Sequence, residues 1–220
     1  MAKEKQFILF ILTGVLLTSI FGFWQIQRYN YKLSINSAIE SSLKDPQKFN
    51  RDGLEKHRAY LVTGYYDFSK QILLGPRSKN KEIGKYIYTV FYVYGKIPLL
   101  VNRGFVSDKY ADNIVKTGKS AYQTLKVFSY DKPKLGWFAP NNIPEKNLWH
   151  SLNLEEIRGE LDTPFPDLYF RNIEGDDASK YKVSNVHKKY IYFWFLTSAT
   201  LLAMLLIARR LGLSRFFSSE

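Results

Sequence analysis

The sequence Leu99-Leu100-Val101-Asn102-Arg103-Gly104-Phe105-Val106 decides the fold of this chain. Its aliphatic and aromatic residues are typical of a β-strand with a buried face. A second strand is predicted over residues 86–94, and the short connection between the two makes them a β-hairpin. A charge is costly to bury alone, so Arg103 needs a partner there, and Gly104 predicts a bulge or a close backbone approach. We interpret this hairpin as the centre of a folded domain.

Further short elements are predicted on both sides of the hairpin. Residues 60–67, 71–74, 124–128 and 167–170 have the composition of strands. Gly64 interrupts the first of these strands, and Gly75-Pro76-Arg77 is a turn signal at the end of the second. A short helix with Asn153 as its N-cap is predicted over residues 152–161. The pattern indicates an α+β domain that is mostly β, either a small barrel or a curled antiparallel sheet with short helices.

Two uncharged apolar runs flank this β-rich region. The first covers residues 7–24 and the second covers residues 190–208. Each has about the length that a helix needs to cross the core of a bilayer. The first run would also suit a cleaved signal peptide, but it ends on Phe21-Gly22-Phe23-Trp24 instead of small residues. This ending favours an uncleaved anchor, so two transmembrane helices are predicted.

The two runs divide the chain into four predicted parts. These are a tail with the first transmembrane helix (1–24), an outward-facing β-rich domain (25–189), the second transmembrane helix (190–208) and a basic cytoplasmic tail (209–220). Basic residues near both termini favour the cytoplasmic or matrix side for both ends. No Arg-rich, Ser-rich leader precedes the first run, which favours a bacterial inner membrane over the mitochondrial inner membrane as the location.

The composition limits the classes of function. The chain has 32 Lys and Arg residues against 20 Asp and Glu residues, a formal net charge of +12 that suggests an anionic partner. Membrane lipid fits this charge better than nucleic acid, because the domain is predicted to face away from the cytoplasm. The absence of cysteine excludes disulfides and Cys-ligated metals. No G-x-S-x-G, H-E-x-x-H, P-loop or dinucleotide motif occurs, so nothing favours an enzyme.

Candidate binding residues lie at the outer ends of the two apolar runs. His187 precedes the second run, and on a helix it would share a face with Tyr190 and Trp194. A neutral imidazole beside an aromatic wall suits a haem iron, although a histidine there is often only an interfacial polar residue. Arg28 follows the first run after Trp24, where it would contact lipid phosphate or hold an anionic group of a ligand.

Several motifs, in order along nearly the whole chain, resemble the surfeit-locus family of cytochrome c oxidase assembly factors. The most specific is the block at residues 100–106. The others are Trp24-Gln25 with Arg28 and Lys32, Gly64-Tyr65-Tyr66-Asp67 with Pro76-Arg77, Pro140-Asn141-Asn142-x-Pro144 with Asn147-x-Trp149, and Asn185-x-His187-x-x-Tyr190 with Trp194. Six of these motif residues are expected to be structural, namely Trp24, Gln25, Gly64, Asn102, Arg103 and Gly104.

The resemblance implies a two-span, non-enzymatic assembly factor with an outward domain. The family's histidine falls on His187, which would contact haem a and help to deliver it to the large catalytic subunit of the oxidase. Arg28, Tyr190 and Trp194 would complete the haem-binding residues. The alternative is a protein-binding scaffold that stabilises an assembly intermediate without binding haem. The implied partners are oxidase subunits or their assembly intermediates, besides membrane lipid.

Overall fold

The computed structural model describes residues 2–94, 96–113 and 118–212. The described helices are α1 (Ala2–Lys44), α2 (Leu154–Leu161) and α3 (His187–Arg210). The described strands are β1 (Gln47–Lys48), β2 (Ala59–Lys79), β3 (Glu82–Val93), β4 (Ile97–Ser107), β5 (Gln123–Asp131), β6 (Leu148–Trp149) and β7 (Leu168–Asn172). The chain forms two compact units, which are residues 1–37 with 182–220, and residues 38–181. We call them the helical unit and the β unit.

The β unit is a sheet that closes on itself. β2 pairs antiparallel with β3, and β3 pairs antiparallel with β4. β4 then pairs parallel with β7, and β7 and β2 both pair antiparallel with β5. The predicted α+β fold is confirmed, and of its two predicted forms the closed barrel is found. The sheet is mixed instead of purely antiparallel, because β7 runs parallel to its neighbour β4.

Strand β2 is longer than the sequence indicates. Residues 60–67 and 71–74 were predicted as two strands, but they belong to one strand whose register against β3 shifts after Asp67 and again after Leu74. The predicted strand end at Gly75-Pro76 is wrong, because the second irregularity accommodates these residues within the strand. A loop was predicted over residues 78–85, but only Asn80 and Lys81 form a turn there, and the other residues belong to β2 and β3.

Both faces of β4 are buried, which explains its unbroken apolar run. Leu99 and Val101 belong to the core cluster that also contains Phe91. Leu100 lies between them in sequence but belongs to a second cluster, around the fully buried Trp149. Successive side chains of a strand point to opposite faces, so a strand covered on both faces reads as continuous hydrophobic sequence. The predicted central role of this stretch is confirmed by its burial.

Helix α2 begins as the sequence predicts. The side chain of Asn153 accepts hydrogen bonds from the backbone N–H groups of Glu155 and Glu156, two donors that have no partner within the helix. The helix ends at Asp162, which adopts a left-handed conformation. Its buried residues Leu154 and Ile157 fill the second core cluster.

The helical unit contains α1 up to Ser37, α3 and the segment that precedes α3. Both helices are long and apolar enough to cross a membrane, and most of their apolar side chains are exposed, as lipid-facing residues are. The two helices pack closely at Gly22, where a Cβ atom would lie 2.8 Å from the ring of Phe195. Nearby, the hydroxyl oxygens of Ser19 and Ser198 are 3.0 Å apart. The chain is therefore a membrane protein with two candidate spans.

Candidate functional site

The candidate site lies in the helical unit, where α1 runs past its apolar run alongside the start of α3. Helix α1 does not end at Trp24 with the apolar run but continues to Lys44. Three of its residues on this stretch form hydrogen bonds with residues 183–187. The helices thus bring together two motifs that are far apart in the sequence.

The central contact of the site joins His187 to Gln25. The Nδ1 atom of His187 lies 2.6 Å from Oε1 of Gln25. Gln25 is only 8% exposed, while His187 is half-buried. An amide oxygen only accepts hydrogen bonds, so in the neutral ring Nδ1 carries the proton and Nε2 keeps its lone pair. The pair therefore holds the imidazole in the tautomer that binds a metal through Nε2.

Two further contacts fix the segment before α3 against α1. Asn36 and Val183 are joined by two hydrogen bonds, in which the Asn36 amide donates to the carbonyl oxygen at 2.9 Å and accepts from the backbone N–H at 2.8 Å. The Asn185 amide donates to the carbonyl oxygen of Tyr29 at 3.1 Å. Its own oxygen, Oδ1, is buried without a hydrogen-bond donor among the described residues. These contacts fix the residues just before His187 against α1.

Several cations lie close to this pair in the sequence. Arg28 follows Gln25 by nearly one helical turn and is exposed, with its guanidinium carbon 5.9 Å from the centre of the Tyr31 ring. Lys188 and Lys189 follow His187 directly and are exposed. The arrangement offers positive charge to an anionic group, which a guanidinium or an ammonium binds through charge-assisted hydrogen bonds.

The aromatic candidates have different environments. Trp194 stacks on Phe21 with ring centres 4.9 Å apart and also meets the edge of Phe193. Its position is thus fixed by packing between the helices. Tyr190 and Trp24 are exposed. Among the predicted site residues, the structure therefore joins His187 directly to Gln25 and places the others on the two helices that carry this pair.

The motif residues of the hairpin form a separate structural group in the β unit. Oδ1 of the buried Asn102 accepts the backbone N–H of Gly104 at 2.8 Å, and the register shift opposite Arg103 confirms the predicted bulge. The Arg103 guanidinium donates to the Gln71 side-chain oxygen at 3.2 Å. It also lies over the rings of Tyr66 and Phe68, at 5.2 and 4.8 Å. Burial lowers the pKa of Arg103, and its carbonyl partner and the two rings offset that cost.

Gly64 is a position of close backbone approach, as the sequence predicts. A Cβ atom on Gly64 would lie 2.0 Å from the carbonyl oxygen of Tyr92 on the neighbouring strand. No larger residue fits there without moving the sheet.

The asparagine motif also has a structural role. The side-chain oxygen of Asn142 accepts the backbone N–H groups of His150 and Ser151, each at 2.8 Å. Asn147 accepts the indole N–H of Trp149 at 3.0 Å. The motif therefore positions the buried Trp149, a role that the sequence spacing alone does not reveal.

The contact between Gln25 and His187 was not predicted from the sequence. Trp24 and Gln25 were expected to be structural, and the Gln25 side chain is the hydrogen-bond partner of the candidate ligand. The available signal was a polar amide at the end of an apolar helix. No cluster of three or more His, Cys, Asp or Glu residues that could hold a metal ion is found within the described part of the chain. His187 would thus be a single protein ligand, which suits a haem iron better than a bare metal ion.

Comparisons with known proteins all point to one family. The sequence pattern of the SURF1 family matches residues 12–199. The chain is 27% identical to the human protein "Surfeit locus protein 1", over 90% of this chain and 76% of that protein. It is 27% identical to a "SURF1-like protein" of Rickettsia conorii, over 94% of this chain and 92% of that protein. Identity to the chicken "Surfeit locus protein 1" is 30%, over 81% of this chain and 68% of that protein.

Proposed function

Because this chain belongs to the SURF1 family, known as cytochrome c oxidase assembly factors that are not enzymes, we propose that it assists assembly of that oxidase. Its cargo is haem a, which His187 binds for delivery to the large catalytic subunit. The partners are oxidase subunits or their assembly intermediates. One observation carries the cargo proposal, the hydrogen bond of His187 to Gln25.

The hydrogen bond matters because it uses Nδ1 of His187 and leaves the lone pair of Nε2 free to bind a metal. A histidine that ligates a metal commonly donates its second ring N–H to a fixed acceptor, which orients the ring. Gln25 is such an acceptor, since it is buried and lies 2.6 Å from Nδ1. A neutral amide raises the basicity of the ring less than a carboxylate would. A ligand of moderate strength suits a group that must be passed on to another protein.

The neighbouring residues supply what the rest of haem a needs. Arg28, Lys188 and Lys189 are exposed cations that would pair with its two propionate groups. Tyr190 and Trp194 would contact the apolar macrocycle. His187 would hold the haem iron through its free Nε2 atom.

The proposed location is the bacterial inner membrane, with the mitochondrial inner membrane as the alternative. Both termini face the cytoplasm or matrix, and the β unit faces outward. The basic residues on the terminal side of each apolar run, namely Lys3, Lys5, Arg209 and Arg210, support this topology. His187 precedes the second apolar run, so the site lies at the outer surface of the membrane.

The test is an absorption spectrum of the full-length protein. It is purified in detergent from cells that make haem a, and its reduced spectrum is recorded. We expect haem bands that disappear or shift in His187→Ala. In Gln25→Leu the bands should persist while haem affinity falls by about 10- to 100-fold, because the ring loses its orienting partner. Ser34→Ala, which removes an exposed hydrogen bond within α1 itself, is the matched control and should retain the parent's affinity.

Two results would change the proposal. An unchanged spectrum at full occupancy in His187→Ala would contradict ligation by this residue. If the parent protein carries no haem even when haem a is supplied, the scaffold function replaces the haem-binding one. In that function the protein stabilises an assembly intermediate without haem.

A further inference from the structure

A loop of the β unit carries two aromatic side chains that project almost entirely into solvent. Trp137 is 95% exposed and Phe138 is 94% exposed. They form the tip of a turn in which the backbone N–H of Ala139 donates to the carbonyl oxygen of Gly136 at 3.0 Å. Leu135, immediately before the turn, is exposed as well. We call residues 135–138 the aromatic loop.

Such exposure is unusual for side chains of this size. The next most exposed large apolar side chain among the described residues is Phe10, at 75%, and it lies on the apolar part of α1. Trp137 and Phe138 thus present more of their surface than the residues expected to face lipid. Large aromatic side chains gain free energy when they leave water, so this loop has a strong tendency to be covered.

The charges around the aromatic loop favour an anionic surface. Lys134 is exposed and forms no ion pair among the described residues. Nearby carboxylates are already paired, since Asp131 binds Lys56 at 2.8 Å and Asp167 binds Lys132 at 3.3 Å. Glu155, which lies beside Leu135, is 3.9 Å from the same lysine. Tryptophan beside lysine is typical of the membrane–water interface, where the ring lies at headgroup level and the ammonium contacts lipid phosphate.

We propose that the aromatic loop inserts into the headgroup region of the membrane that the chain spans. This is a membrane contact in addition to α1 and α3, and it does not depend on haem. The apolar helices and the β unit belong to one chain, so even weak insertion becomes effectively intramolecular. A protein partner fits less well, because binding hot spots lie in well-packed patches surrounded by other contacts, whereas these two rings protrude alone.

The absence of cysteine makes a clean test possible. In Gly136→Cys the new Cβ atom meets no atom within 4 Å, and the same holds for Gly159→Cys on α2, which is the matched control. Each full-length variant carries an environment-sensitive fluorophore on its single cysteine. Each is reconstituted in vesicles of phosphatidylcholine with about one quarter phosphatidylglycerol, without other proteins. Quenching by lipids that carry a spin label near the headgroup is compared with quenching by aqueous iodide.

The proposal predicts opposite behaviour at the two positions. The label at Gly136 should be quenched at least about threefold more by the lipid quencher than the label at Gly159, and it should be protected from iodide. Adding Trp137→Ala and Phe138→Ala should abolish both effects, and Lys134→Glu should weaken them. Equal and full access of iodide to both labels would overturn the proposal. Protection that arises only when an oxidase subunit is added would overturn it in favour of protein docking.

Discussion

The same substitution can have very different effects at two positions of this structure, as the glycines Gly64 and Gly159 show. A Cβ atom on Gly64 would overlap a backbone oxygen of β3, which cannot rotate away. A Cβ atom on Gly159 would meet no atom within 4 Å. The same chemical change is therefore disruptive in the sheet and harmless on the helix.

Gly64→Ala should lower the free energy of unfolding by at least about 3 kcal/mol, at the upper end of the cost of overpacking. Gly159→Ala should change it by less than about 1 kcal/mol and in the stabilising direction, because alanine favours the helix. The measurement is the denaturant midpoint, or the protease resistance, of the purified full-length proteins. Gly64→Glu should be worse still, since it adds a buried charge. Equal stability of the two alanine variants would contradict the close approach.

Asp176 links the stability of the β unit to pH. Its carboxylate accepts hydrogen bonds from Lys180 at 2.6 Å and from Tyr181 at 2.5 Å, and Arg171 lies 3.3 Å away. The hydrogen bonds from Lys180 and Tyr181, with the charge of Arg171, hold the pKa of Asp176 below its usual 3.8. A carboxyl group with a lowered pKa in the folded protein stabilises it fully above the unfolded value, and this contribution disappears as pH falls through the folded value.

Asp176→Asn should therefore destabilise the protein at pH 7, by an amount on the order of 1 kcal/mol. The difference between parent and variant should shrink toward zero as pH falls below about 4. Unfolding curves at pH 7, 5 and 3 would measure this difference. A gap between parent and variant that is as large at pH 3 as at pH 7 would show that the charge of Asp176 is not the cause.

Among the elements, the pairing of α1 with α3 depends on small residues. Gly22 lets Phe195 approach, and the hydroxyl groups of Ser19 and Ser198 meet beside it. Close packing of this kind, with an interhelical hydrogen bond, is how apolar helices associate where water does not drive them together.

A cysteine pair tests this helix contact. Ser19→Cys combined with Ser198→Cys should form a disulfide on mild oxidation, because the two hydroxyl oxygens are 3.0 Å apart. Ser19→Cys with Thr197→Cys is the control, since the Thr197 hydroxyl binds the carbonyl oxygen of Phe193 on its own helix. Protease cleavage within the β unit should leave the fragments linked only in the first variant. Adding Gly22→Leu should reduce the linkage, and efficient linkage of both pairs would indicate non-specific contact.

The sequence predicts the individual helices and strands better than it predicts how they continue into one another and which of them come into contact. The β4 hairpin and α2 follow from apolar patterns and an N-cap, which are local features. The continuity of β2 is not predictable in this way, because Gly75-Pro76 usually ends a strand and only the pairing with β3 accommodates it. The His187–Gln25 contact spans 162 positions and arises only once α1 and α3 lie side by side.

The molecule as a whole should have one orientation in the membrane. Reporter enzymes that are active only outside the cytoplasm should be active when fused at positions between 50 and 170 and inactive when fused after Glu220. The reason is that basic residues flank both apolar helices on the side of the termini. A cytoplasmic reporter at the same positions is the control and should give the reverse pattern. An active external reporter after Glu220 would contradict the topology.

The parallel pairing of β4 with β7 has a consequence for how the protein is made. β4 ends at Ser107, whereas its neighbour β7 begins only at Leu168, so the barrel stays open until that later segment has been synthesised. Until then, the edges of β4 and β5 that β7 will occupy are unpaired, and unpaired edges invite aggregation. A chain whose synthesis stops before residue 168 would therefore be a substrate for proteases and chaperones, because its barrel has no closing strand.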